Sequence, residues 1–83
     1  MTSEPVKVEA EFTIEPFVEG APGAHVLVGL DAVRAAGLEP TVGPFGSTVS
    51  GELTTVSDAM ARMFEAATRA GATRVSVQLT APD

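Results

Sequence analysis

The chain has no cysteine, tryptophan or tyrosine, one histidine, and only five lysines and arginines among its 83 residues. Each scarcity excludes something. Without cysteine there is no disulfide framework, no thiolate metal site and no cysteine nucleophile. A credible zinc site would need a second histidine or a cysteine beside His25, and the sequence has neither. Eleven acidic residues against five basic ones leave a net charge of −6. That balance argues against nucleic acid or an anionic membrane as the main partner and mildly favours cationic or neutral ligands. No apolar run approaches the roughly 20 residues of a membrane span. The opening MTSEPVKVEA lacks the basic start and apolar centre of a secretion signal, so a cytoplasmic protein is the expectation. A chain this short is expected to be one domain, residues 1–83, with 1–5 as a flexible start. It buries only roughly 60–65% of the surface it would expose unfolded, so its core is thin and a partner surface would add useful burial.

What is present is regular patterning. In residues 6–15, VKVEAEFTIE, the apolar Val6, Val8, Ala10, Phe12 and Ile14 alternate with Lys7, Glu9, Glu11, Thr13 and Glu15. Period two over that length predicts a half-buried strand. Pro16 ends it, and residues 17–23 read as a loop. Residues 24–36 carry a helical stripe of Val26, Leu27, Leu30 and Val33, with Gly37 placed as a C-terminal cap and Gly29 permitting close packing. Residues 38–43 and 47–53 read as short strands around a Pro44-Phe45-Gly46 turn, and Pro40 marks the first as a sheet edge. Thr54 and Thr55 open a second helix, with Thr55 and Asp58 as a capping pair. Its buried stripe is Val56, Ala59, Met60, Met63, Phe64 and Ala67, and Gly71 closes it. Residues 73–80 alternate again, with Val75, Val77 and Leu79 inward.

Strand, helix, strand, strand, helix, strand is two strand–helix–strand units, and right-handed crossovers put both helices on one side. The predicted fold is α+β: a ferredoxin-like βαββαβ sandwich whose four-stranded antiparallel sheet carries two helices on one face. The helix-free face then displays Lys7, Glu9, Glu11, Thr13 and Glu15, with Thr48, Ser50 and Glu52 from the third strand and Arg74, Ser76, Gln78 and Thr80 from the last. Two readings of that face stay open: a solvated sheet surface, or a ligand or subunit surface.

Catalysis finds little support. His25, near a helix start, reads as a solvated side chain, and no serine or acid can be paired with it from spacing. The glycine-rich stretch 43–52, GPFGSTVSGE, lacks the lysine of a phosphate loop and joins two strands, the wrong context for one. RNA binding on this fold needs aromatic side chains on the open face, whereas Phe12 has inward parity. The first loop has no arginine to grip an acyl phosphate.

Three stretches carry a resemblance: FTIEPF (12–17), AAGLEPTVGPFGSTVSGE (35–52) and AGATRVSVQL (70–79). Together they make the chain similar to the thiamine/hydroxymethylpyrimidine-binding family, called YkoF-like, and to its small single-domain members. Ser50 stands where many relatives have glutamate, and this chain has one ferredoxin-like unit where some relatives have two in tandem. The resemblance implies a non-enzymatic binder of thiamine or its hydroxymethylpyrimidine moiety, with no cofactor, assembling through its sheets as a homodimer or homotetramer.

The residues suit such a ligand. A thiazolium cation favours a carboxylate or an aromatic face, and an aminopyrimidine edge wants mixed donors and acceptors. The candidate ligand-binding residues are Glu15, Phe45, Thr48, Ser50 and Glu52; no catalytic or metal-binding residue is assigned. Alternatively, Gly43 and Gly46 serve only the turn and Phe45 plugs the core. The rival function is an ACT-like regulatory or protein-interaction module acting through the open sheet.

Overall fold

Alternation along residues 7–15 is realised as strand β1, Lys7–Glu15, in the computed structural model, which describes residues 5–16, 22–44 and 46–82. Val8, Ala10, Phe12 and Ile14 are buried while Lys7, Glu9 and Glu11 between them are exposed. Helix α1 (Ala24–Ala35), strands β2 (Thr41–Val42) and β3 (Ser47–Glu52), helix α2 (Leu53–Arg69) and strand β4 (Arg74–Thr80) follow. The sheet order is β2-β3-β1-β4, and every pairing is antiparallel. This is the expected ferredoxin-like arrangement. The proposed flexible start lies almost wholly outside the described residues, as does most of the 17–23 loop.

The core lies between the sheet and the helices. Phe12, Met63, Val33 and Val56 are its largest fully buried side chains. At Gly29 the two helices and β1 converge, since a Cβ there would lie 2.7 Å from Ile14 Cδ1 and 3.4 Å from Met63 Cγ. Both helices end in Schellman motifs. Gly37 (φ +95°) and Gly71 (φ +107°) are the left-handed residues. Leu38 N–H donates to the Val33 carbonyl and Ala72 N–H to that of Ala67, which satisfies carbonyls the helix leaves open. Leu38 and Ala72 then pack on the core.

Several expectations need correction. His25 is buried, not solvated: its Nε2 donates to the Pro16 carbonyl oxygen at 2.7 Å and ties the start of α1 to the end of β1. The β2 strand is two residues long because Pro40, which removes a ladder donor, falls before it and not within it. Helix α2 begins at Leu53, directly from β3 through Glu52, so Thr55 is already inside the helix. The expected Thr55–Asp58 cap does not form, and Asp58 instead accepts from Arg62 Nε at 2.8 Å. Leu27 (50% exposed) and Phe64 (52%) sit on the shoulders of their stripes, outside the core. Val77 and Leu79 do share the helix side with their partners Phe12 and Ala10, yet remain 43% and 47% exposed. Parity assigns a side; it does not supply a cover, and α2 only grazes β4.

Candidate site on the helix-free sheet face

Directly opposed residues of antiparallel strands point to the same side of the sheet. On the open side Thr41 opposes Thr48, Thr48 opposes Glu11, and Glu11 opposes Gln78. One residue from each strand therefore forms a single row across the whole sheet, roughly 14 Å long at the usual inter-strand spacing. Thr13 and Ser76 form a parallel pair beside it. These six residues, with Pro44 and Gly46 of the β2–β3 turn, line an open depression of about 690 Å³.

The turn itself explains one wall. Gly43 N–H donates to the Gly46 carbonyl at 2.7 Å, closing the connection. A Cβ on Gly46 would sit 3.1 Å from the Phe12 carbonyl oxygen, so glycine lets the turn lie down against β1.

Charge is distributed unevenly along this face. At one end Lys7 opposes Glu52, and at the other Arg74 Nε lies 3.6 Å from the Glu15 carboxylate. Both ends are thereby balanced. Glu9 and Glu11 in the middle are the surplus, and among the described residues Glu11 enters no ion pair. The row thus offers one free carboxylate flanked by two hydroxyls and an amide that both donates and accepts.

Of the residues singled out from sequence, Thr48 is in the row. Ser50, opposite Glu9, is on the same face one step further along. Glu52 and Glu15 lie at opposite ends: Glu52 opposes Lys7, eight positions along β1 from Glu15, roughly 27 Å. Phe45 lies outside the described residues. Glu11, Gln78, Thr41, Thr13 and Ser76 were absent from the sequence-based set. Parity had placed Glu11, Thr13, Ser76 and Gln78 on this face, but only the register shows which of them stand beside Thr48.

Residues 10–83 match the family model described as thiamine-binding protein. The chain belongs to that family. Among solved structures it is similar to a domain of unknown function from Bacillus cereus, with 25% identity and a TM-score of 0.69 over 92% of this chain and 74% of that one. A candidate thiamine biosynthesis/salvage protein from Thermotoga maritima is 25% identical, with a TM-score of 0.63 over 89% of this chain and 80% of that one. A hypothetical protein from Methanocaldococcus jannaschii shares the fold at 22% identity, with a TM-score of 0.68 over 93% of this chain and 79% of that one. No curated protein is significantly similar to the chain. Membership in the thiamine-binding family agrees with a face that offers polar groups and a free carboxylate. Among the described residues, no helix is long and apolar enough to cross a membrane.

Proposed function

We propose that this protein binds thiamine or its hydroxymethylpyrimidine moiety on the helix-free sheet face, holding and releasing the ligand without making or breaking bonds. Family membership supports the ligand class. The observation that carries the reading is the cross-sheet row Thr41, Thr48, Glu11, Gln78 inside a depression of about 690 Å³, within the roughly 300–1,000 Å³ typical of small-molecule sites. Glu11 supplies the charge for a thiazolium or accepts from an exocyclic amine. Gln78 and the two threonines supply the alternating donors and acceptors that an aminopyrimidine edge needs. The protein acts as a homodimer or homotetramer in the cytoplasm, built through its sheets.

Isothermal titration with thiamine tests the reading. The wild-type protein releases heat at ligand concentrations below millimolar. Glu11→Gln, which removes a charge-assisted bond, weakens binding about tenfold or more, and Thr48→Val weakens it about threefold. No heat at millimolar thiamine from demonstrably folded protein would sink it.

A further inference from the structure

Thiamine and hydroxymethylpyrimidine each carry a free hydroxyl, and a phosphate ester formed there adds a charge of roughly −1.5 to −2 at neutral pH. Such a group is ordinarily held by lysine, arginine or a helix N-terminus. Every basic side chain of this protein lies within the described residues, so each one can be placed. Arg34, Arg62 and Arg69 belong to the helices, on the other side of the sheet, and each lies within 3.4 Å of an acid. His25 is buried with its Nε2 on the Pro16 carbonyl.

Only Lys7 and Arg74 share the open face. Each stands four residues along its strand from the row, about 13 Å. Lys7 opposes Glu52, and Arg74 Nε lies 3.6 Å from the Glu15 carboxylate. Among the described residues, no lysine, arginine or histidine lines the depression. The carboxylates lie nearer: Glu11 is in the row, and Glu9 stands two residues along β1, between the row and Lys7. The β2–β3 turn adds little, since Gly43 N–H already donates to the Gly46 carbonyl. Helix α2 opens beside the Glu52 carboxylate, and its Leu53 N–H is engaged with the Val6 carbonyl.

We infer that the open face holds the unphosphorylated ligand and rejects its phosphate esters, by charge and not by size. The inference deepens the ligand reading above and rests on it. Phosphorylation turns the thiamine cation into a species of net negative charge, which reverses the sign of its interaction with Glu11. A phosphate on a ligand seated over the row stands roughly 8 Å from that carboxylate. At a protein surface, repulsion over such a distance weakens binding about tenfold or more for a doubly charged ester. The phosphate oxygens also give up water without gaining a cationic partner. An ester that reaches toward Lys7 passes Glu9, and one that reaches toward Arg74 meets Glu15. A second copy of the chain brings the same charges and relieves none of this.

Isothermal titration at 20 mM sodium chloride provides the test. It compares thiamine, thiamine monophosphate and O-acetylthiamine, whose ester adds bulk at the same hydroxyl without charge. Wild type should bind the acetyl ester within about threefold of thiamine and the monophosphate at least about tenfold more weakly. Ser76→Lys adds a cation beside the row without removing a member of it. It should narrow the gap between thiamine and its monophosphate to about threefold or reverse it. Glu11→Gln should narrow the gap as well, because the ester loses a repulsion where thiamine loses an attraction. Circular dichroism establishes that each variant is folded. A monophosphate that wild type binds within tenfold of thiamine overturns the inference and leaves the ligand reading standing. Rejection shared by the acetyl ester, or relieved by neither folded variant, makes the selection steric and overturns it too. If no ligand binds folded wild type, the ligand reading falls and takes this inference with it.

Discussion

Glu11 is one of four acidic or basic residues within β1, and nothing in its own identity marks it out. Its position does. It opposes Thr48 on one side and Gln78 on the other, while the carboxylates toward the strand ends have cations opposite or beside them. A pocket of the size seen in small-ligand sites is about 7–10 Å across, so one ligand cannot reach both Glu15 and Glu52, roughly 27 Å apart along β1. Of the acids, Glu11 is therefore expected to dominate. Glu15→Gln and Glu52→Gln should each change thiamine affinity less than threefold, against about tenfold for Glu11→Gln, in titrations at one ionic strength. If either end variant loses as much as Glu11→Gln, the ligand sits at that end of the face and the cross-sheet row is a bystander.

At the scale of the element, patterns with a strong period were legible and their limits were physical. β1 could be read because its alternation persists for nine residues. The α2 stripe was correct at Val56, Ala59, Met60, Met63 and Ala67 because all five project toward the sheet and α1. Phe64 fitted the same period yet is exposed, because a stripe's width depends on what lies above it. The hydroxyls at Thr54 and Thr55 resembled a helix start, but the backbone turns into the helix immediately after β3 and needs no side-chain cap. The candidate site was half legible: parity identified the face, while strand register, a long-range property, determined which side chains stand together. The glycine stops were fully legible, and they permit a clean measurement. A Cβ at Gly37 or Gly71 would meet nothing within 4 Å, so substitution there tests backbone strain alone. Gly71→Ala should cost about 1–2 kcal/mol in urea unfolding, because alanine must adopt a φ of +107°. A cost below a few tenths would mean that the helix end rearranges freely.

For the whole molecule, the acid excess and the thin core pull in different directions. Six uncompensated negative charges on 83 residues repel one another in the compact state. The pairs that oppose this repulsion, Asp58–Arg62, Glu65–Arg69 and Asp31–Arg34, lie on exposed helix surfaces, where each is worth only a few tenths of a kcal/mol. Added salt screens both, with a Debye length of about 10 Å at 0.1 M. Because the repulsion acts over the whole surface and the pairs are few and weak, screening should favour the folded state. Raising sodium chloride from 20 to 200 mM is expected to stabilise the protein by about 0.5 kcal/mol, or roughly 2–4 °C in Tm for a domain this small. Binding of a cationic ligand to the surplus carboxylates should move the opposite way and weaken about two- to threefold over the same range, since the attraction that gathers the cation is the one being screened. The opposed signs separate this account from a general salt effect on the fold, which would shift both quantities together. A melting temperature that falls with salt would place the helix ion pairs, and not self-repulsion, in control of stability. An affinity indifferent to salt would remove Glu9 and Glu11 from recognition and leave the hydroxyls and Gln78 to hold a neutral ligand.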